Sequence, residues 1–350
     1  MKMRMRNVTV SNIKSAFLTI ELVVLALSPM AFAQPTAKPA QTGNAVNGIN
    51  SYPGPSAIKY APERDPESRR IDSFFGDWHE SEPRHIHGSL VVRDVLTKGD
   101  NFAPPFRAAF LQYANTLSYA TLAAHASTTP SRLMDQQEVY YVTAGAGTIT
   151  ASGVTAQIRA NVAVFMPANL EFVMQNTGDQ PLHMYIINEP TPPHFKPVDK
   201  MAVVDERTAH VRTPSTVAHY ATALGIKEDP GAAKPDSYIV PGASGHWSHV
   251  VRELFSAKDG LGTLSSVITV ELPALSLGEP HPHAPGHEEI WLALEGDSLA
   301  MLGSQLRMQR PGTAYMARPD GAMVHSNINF GDRPVKFLYF VNGSPKAVKP

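Results

Sequence analysis

The sequence predicts an all-β protein made of two copies of one unit, and three observations lead there. From Ile71 onward the chain runs in short apolar or alternating stretches: "SLVVRDVL", "EVYYVTAG", "GTITASG", "VAVFMP", "LHMYIIN", "SSVITVEL", "IWLALEG" and "VKFLYFV". Gly, Pro, Asn and Asp separate them, and runs of about four to eight residues with such punctuation form a sandwich or barrel. The second observation is a repeat. Glu138 is followed after six residues by Gly145 and Glu289 after six by Gly296, an offset of 151 in both cases. Third, the repeat persists with little drift: Pro167 in "PAN" matches Pro319 in "PDG" at offset 152, and Asn176 matches Asn329 at 153. One residue of drift between successive landmarks is what two copies of one supersecondary unit show.

The 350 residues, 43% hydrophobic and 17% charged, suffice for two ordinary globular domains. A formal charge of -1 argues against nucleic acid or an anionic membrane as the main partner. At the N-terminus, Lys2, Arg4, Arg6 and Lys14 precede or flank the apolar run "AFLTIELVVLAL", and "AFA" before Gln34 has the small-x-small form of a cleavage site. Residues 1–33 therefore read as a secretory signal. Glu21 interrupts the run and its length is short for a span, so no membrane insertion of the mature chain is expected. Arg4 and Arg6 are not adjacent, which points to general export and a periplasmic or secreted location. Removing the signal takes four basic residues and one acid from totals of 30 and 31, leaving the mature chain near -4.

Residues 34–68 are rich in Pro and small polar residues and read as a flexible tether. Residues 69–198 form the first unit with an N-terminal arm, 199–235 a linker, and 236–345 the second unit. The linker carries "EPTPPHFKP" at its approach and "KEDPGAAKPD" near its end, with a short helix predicted at "HYATALGI". The chain has no cysteine, so disulfides, thiolate zinc sites and iron–sulfur clusters are excluded and any metal ligands are nitrogen or oxygen.

The candidate site is "EPHPHAPGHEEIWLALEG", residues 279–296. His281, His283, His287 and Glu289 are all odd-numbered, so they can share one face if the segment is extended. Several imidazoles with one carboxylate suit Mn, Fe, Ni, Cu or Zn and leave positions open. His325 lies beyond the "PDG" turn, where a return strand can complete the set. His287 has three readings: a further ligand, an acid/base group beside the ligands, or a solvated loop histidine; it is the catalytic candidate. Trp291 reads as barrel core or pocket wall.

"HPHAPGHEEIWLALEG" followed by "RPDGAMVHSNIN" resembles the two motifs of the cupin superfamily, H-x-H-(x)3,4-E-(x)6-G and P-x-G-(x)2-H-(x)3-N. Two copies, over about 115–195 and 245–342, resemble a bicupin. The resemblance implies two tandem jelly-roll β-barrels with a short partly helical linker. It also implies a metal held in the second barrel by His281, His283, Glu289 and His325. Two spacings depart from the pattern: five residues separate His283 from Glu289, and three separate Gly321 from His325. Glu288 is thus an alternative acid ligand, although Glu289 keeps the spacing to Gly296.

In the first copy only the acid survives. His281 corresponds to Pro130, His283 to Arg132, His287 to Gln136, Glu289 to Glu138 and His325 to Phe172. The first barrel is therefore expected to be metal-silent, with Arg132 pairing with Glu138 in place of the ion. His85 and His87 in "PRHIHGS" read as a β segment packed on the barrel, while His125, His246 and His249 are candidates to line a barrel mouth. No G-x-S-x-G elbow, P-loop or dinucleotide fingerprint is present.

The resemblance implies an exported metal-dependent enzyme acting on a small organic acid, enediol or phenolic substrate, dioxygenase- or oxidase-like, with one divalent first-row metal. A non-redox hydrolase, lyase or isomerase, and a non-catalytic sugar-binding cupin, are the alternatives. Exposed barrel edges and the N-terminal arm make a homodimer the expected assembly.

Overall fold

The computed structural model describes residues 71–212, 249–278, 280–283, 286–320 and 322–342. Residues 1–33 and 34–68, read from the sequence as signal and tether, the predicted helix at "HYATALGI" and His246 lie outside them. No helix among the described residues is long and apolar enough to cross a membrane.

Each repeat folds as a larger antiparallel sheet facing a smaller one. In the first, the large sheet runs Ala202–Asp205, Val162–Met166, Gln136–Ala144, Leu182–Pro190, Thr116–Leu122, Leu90–Lys98 and Arg84–Ile86, with Ala109–Leu111 added in parallel to Leu90–Lys98. Its small sheet runs Ser131–Arg132, Glu171–Asn176, Ala146–Ala151 and Val154–Arg159. Alternation along the strands turns Tyr140, Val142, Ile149, Val164, Phe172 and Met174 into the shared interior. In the second, the large sheet runs Phe75–Asp77, Thr313–Ala317, Glu289–Glu295, Val335–Val341, Ser266–Leu272, Val250–Ser256 and Val211–Arg212. The opposing sheet is Ser276–Leu277, His325–Asn329, Ser298–Leu302 and Gln305–Gln309.

The landmarks of the repeat have physical reasons. Asn176, fully buried, donates from Nδ2 to the carbonyls of Leu122, Ala123 and Gln180 and accepts from the Gly178 amide. Asn329 does the same for Leu272, Pro273, Arg333 and Gly331. Each asparagine closes the turn between its strand and the next. Gly145 and Gly296 adopt φ of 84° and 77°, where a side chain is strained. A Cβ on Gly296 would also stand 2.7 Å from Val335 Cγ1.

The chain exchanges edges between its barrels. Phe75–Asp77, from the arm, pairs with Thr313–Ala317 of the second barrel, whereas Ala202–Asp205 pairs with Val162–Met166 of the first. Val162–Met166 and Thr313–Ala317 are equivalent strands, so the same edge is covered twice from different sources. What the sequence presents as a linker is thus partly structural: in its described residues, Ala202–Asp205 is followed by a 3-10 turn, Glu206–Thr208, and then by Val211–Arg212, which joins the second barrel.

Between the barrels one apolar cluster runs from Val139, Tyr141, Phe165 and Ile187 to Val251, Phe255 and Ile268. Buried carboxylates sit in this junction, and two of them come from the first barrel's side. Glu189 accepts the amides of Gly262, Thr263 and Leu264 together with Gln137 Nε2 and Thr263 Oγ1. Glu206 accepts Tyr141 Oη at 2.6 Å, Thr269 Oγ1 at 2.8 Å and Lys336 Nζ at 2.7 Å. Both replace solvation with donors from the opposite barrel, which makes the junction directional as well as apolar.

Candidate metal centre

The segment 280–289 is not a continuous strand. Pro282 removes a ladder donor, and among the described residues before Glu289 His281 alone pairs in register, exchanging backbone bonds with His325 at 3.2 and 3.0 Å. Gly286, at φ 81°, then turns the chain and donates to the Pro319 carbonyl before the strand Glu289–Glu295 begins. This irregular path brings His281, His283, Glu289 and His325 to one point inside the barrel. All four are buried, and one ligand atom from each lies within 4.8 Å of the others.

His283 Nε2 and His325 Nε2 are 2.6 Å apart, and Glu289 Oε2 is 3.1 Å from His283 Nε2. Glu289 Oε1 stands 3.7 Å from His325 Nε2. Two imidazole nitrogens at such a distance aim their lone pairs at a common point beside a carboxylate, an arrangement that a shared cation fits. Burial, with the charge of His281, lowers the His283 pKa to about 3, so the ring is neutral and its lone pair available. Burial pushes Glu289 up, against the opposing pull of His281, His287, Trp291 and Tyr339. The donor set thus matches a divalent first-row ion, and these four residues can hold one.

The surroundings orient the ligands. Trp291 Nε1 donates to Glu289 Oε1 at 2.7 Å, which makes this buried indole a positioning group as well as core. Tyr315 Oη donates to Asn327 Oδ1 at 3.0 Å and lies 3.4 Å from His325 Nδ1. His249 is buried with its ring 5.6 Å from Trp291, and Gly278 gives it room, since a Cβ there would come within 3.1 Å of the imidazole. His249 therefore packs inside the second barrel behind the ligands.

His287 stands at the rim. Its side chain is 31% exposed, its ring stacks on His283 at 5.0 Å and 11°, and its Nε2 is 4.0 Å from Glu289 Oε2. Burial lowers its pKa, partly offset by Glu289. Glu288 points the other way: its carboxylate accepts the amides of Gln112 at 2.8 Å and Tyr113 at 3.5 Å, across the junction. Burial raises it to about 7. Of the two adjacent acids, Glu289 joins the cluster and Glu288 fastens the barrels.

The first copy corrects one expectation. Arg132 does not pair with Glu138; it faces outward, half exposed, and pairs with Glu171 at 3.6 Å. Glu138 instead accepts His87 Nε2 at 3.0 Å, Asn188 Nδ2 at 3.0 Å and the Tyr140 hydroxyl. Phe172, in the place of His325, packs edge-on against His87 at 5.1 Å. Burial pushes the Glu138 carboxyl up, but the bond and charge of His87, with Tyr140 and Asn188, outweigh it and hold it below the usual range. His87 comes from the arm, in a turn where it and Gly88 adopt φ of 47° and 81°. The only sequence signal for it was the dipeptide His-Gly at a strand end. His85 is exposed on the edge strand Arg84–Ile86, and His125 is exposed and bonded to Asp179 rather than lining a mouth.

A family model described as "Cupin domain" matches residues 118–188, within the first copy. No curated protein matches the chain. Among solved structures, a Pseudomonas aeruginosa protein described as glyoxylate-induced is similar over 75% of this chain and 83% of its own, with 13% identity and a TM-score of 0.53. The protein Ylba from E. coli aligns over 78% and 92%, at 11% identity and a TM-score of 0.52. AerE from Microcystis aeruginosa aligns over 78% and 100%, at 13% identity and a TM-score of 0.51. At such identities the likeness concerns the fold.

Proposed function

Because this chain is a cupin-superfamily protein of bicupin-like fold, we propose that it is a metalloenzyme whose second barrel acts on a small organic acid, enediol or phenol in an oxidase- or dioxygenase-like reaction. The observation that carries this reading is the convergence of three imidazoles and one carboxylate on one buried point, with a fourth histidine at its exposed rim. Three nitrogen donors and one oxygen donor match iron, manganese, copper, nickel or zinc. Such an ion supplies Lewis acidity or a one-electron couple.

The chain's own residues have separate tasks. Trp291 holds the Glu289 carboxylate through one oxygen, and Tyr315 with Asn327 fixes the edge of His325. Burial keeps the His283 ring free of its proton. His287, parallel to His283 and open to solvent on one side, is placed to take a proton from a bound acid or hydroxyl and pass it to water. The aromatic interior around Trp291, Tyr315 and Tyr339 excludes water from the ligands. The N-terminal sequence supports action in the periplasm or outside the cell, where metal is acquired after export.

A closed, non-catalytic binding site is the second reading, and the burial of all four ligands favours it. Metal content measured per chain on wild type, His283→Ala and Glu289→Gln separates the readings, together with oxygen uptake on a panel of organic acids, enediols and phenols. We expect about one equivalent in wild type, none in either variant, and turnover that His287→Gln removes while keeping the metal. Metal without turnover would support the closed site. Zinc with hydrolytic or isomerase turnover would support the non-redox alternative, and no metal even after reconstitution would end both metal readings.

A further inference from the structure

The two small sheets carry the same outward face with opposite chemistry. In the first barrel, strand register aligns Gln157, Thr148, Gln175 and Ser127 in one row across the sheet. The equivalent row of the second barrel is Met308, Leu299, Ile328 and Leu277. The neighbouring row changes from Thr155, Thr150 and Val173 to Leu306, Met301 and Ser326, so its gain of apolar side chains lies at Leu306 and Met301. Beyond the row's end, Leu275 occupies the place of His125, with the same left-handed backbone, and Phe330 that of Thr177. Alternation makes these side chains face away from the interior, because their neighbours Ala300, Leu302, His325 and Asn327 are buried inside. Leu275 is 78% exposed, Leu306 57%, Phe330 48%, Leu277 43% and Met308 39%.

The first barrel is an internal control. It builds the same four-stranded sheet with a largely polar exterior, Val173 and the exposed Val154 being the apolar exceptions, so folding does not require an apolar one. We infer that the outward face of the second barrel's small sheet, centred on Leu277, Leu306 and Met308, is the self-association surface of this protein and receives the same face of a second copy. The exposed apolar area of the five side chains is on the order of 500 Å², near the upper end for the largest patch of a monomer. A standard interface takes about 800 Å² from each partner, and roughly two thirds of its core is apolar, a share this patch supplies. A face that meets its own copy needs only two-fold symmetry, with the sheets stacked about 10 Å apart. A net charge near -4 on the mature chain brings only modest repulsion to the pairing.

Among the described residues, Ile71 brings the chain's own N-terminal segment near this face, its amide bonding Gln305 Oε1 at the head of the strand Gln305–Gln309. Residues 34–68 contain no Leu, Met, Phe or Trp, so that stretch is poorly matched to the patch.

The test is sedimentation of the full mature chain over micromolar concentrations, alongside the triple variant Leu277→Ser, Leu306→Thr, Met308→Gln, which installs the first barrel's residues. The expected result is a wild-type dimer and a variant with an unchanged circular dichroism spectrum that associates at least about 100-fold more weakly. Should the variant not fold, peroxide footprinting of wild type decides. Met308 is then protected at high concentration and oxidised on dilution, whereas Met134, 62% exposed in the first barrel, is oxidised at both. A wild-type monomer at all concentrations overturns the inference, as does a variant that still dimerises. Protection of Met308 in a monomer overturns it in favour of a segment of the same chain.

Discussion

Replacing His87 with alanine tests the reading that an imidazole of the arm stands in the first barrel where a metal would otherwise be. Glu138 is 3% exposed and has three donors, of which His87 alone can carry charge. Removing one partner of a buried pair costs about 3–5 kcal/mol, because the other charge is left uncompensated. The edge-on contact with Phe172 adds about 0.5–1.5 kcal/mol. A loss of about 4 kcal/mol at pH 7 is therefore expected in urea unfolding followed by circular dichroism. In wild type the folded Glu138 pKa lies below its unfolded value, so its stabilisation is present above about pH 4.5 and is lost as pH falls through the folded value. Without His87, burial dominates and the folded pKa rises. Its contribution is then present below about pH 4.5 and lost as pH climbs through the new value. The stability gap should accordingly narrow toward pH 4 and widen toward neutrality. His87→Gln, which keeps a donor without charge, should fall between the two. A variant within about 1 kcal/mol of wild type at pH 7, or a gap independent of pH, would refute the reasoning.

Three further outcomes follow from named contacts. Trp291→Phe removes the 2.7 Å bond to Glu289 and should weaken metal retention about 10–100-fold in chelator competition; a loss under threefold would show that the indole only packs. In the metal-free protein, the depressed His283 pKa means that the unfolded chain binds more protons. Its contribution is full above about pH 6.5 and erodes as pH falls toward about 3, so His283→Gln should flatten that part of the thermal stability profile. An unchanged slope would place the acid sensitivity elsewhere. Glu189→Ala strands the amides of Gly262, Thr263 and Leu264 and should cost at least about 3 kcal/mol, splitting calorimetric unfolding into two transitions. One transition at the wild-type temperature would show that apolar packing alone couples the barrels.

Much of the fold was legible because its signals are local. Period-two alternation marked the strands, and the glycine and asparagine landmarks recur since each turn needs a left-handed residue or a buried amide at the same place. The ligand spacing in residues 281–289 is likewise local, as is the match of His325 to its turn. Parity served less well. The ligands meet although, among the described residues of 280–288, His281 alone is in register, with Pro282 and the left-handed Gly286 following it. The error over Arg132 has a different source: the sequence offset aligned it with His283, but in the first barrel it lies in a regular strand pair opposite Glu171, which turns it outward.

By itself, the sequence determined the all-β class, the duplication, the asymmetry of the two copies and the residues gathered in the second barrel. The tertiary structure decided which partners distant segments find. It alone set His87 against Glu138, 51 residues away, and Phe75–Asp77 against Thr313–Ala317 in the other barrel. It also separated Glu289 from Glu288, since successive side chains on a strand face opposite sides and only the packed sheet defines which side is the interior. The apolar exterior of the second small sheet became visible for the same reason. Alternation is written in the chain, but which face is covered depends on what packs against it.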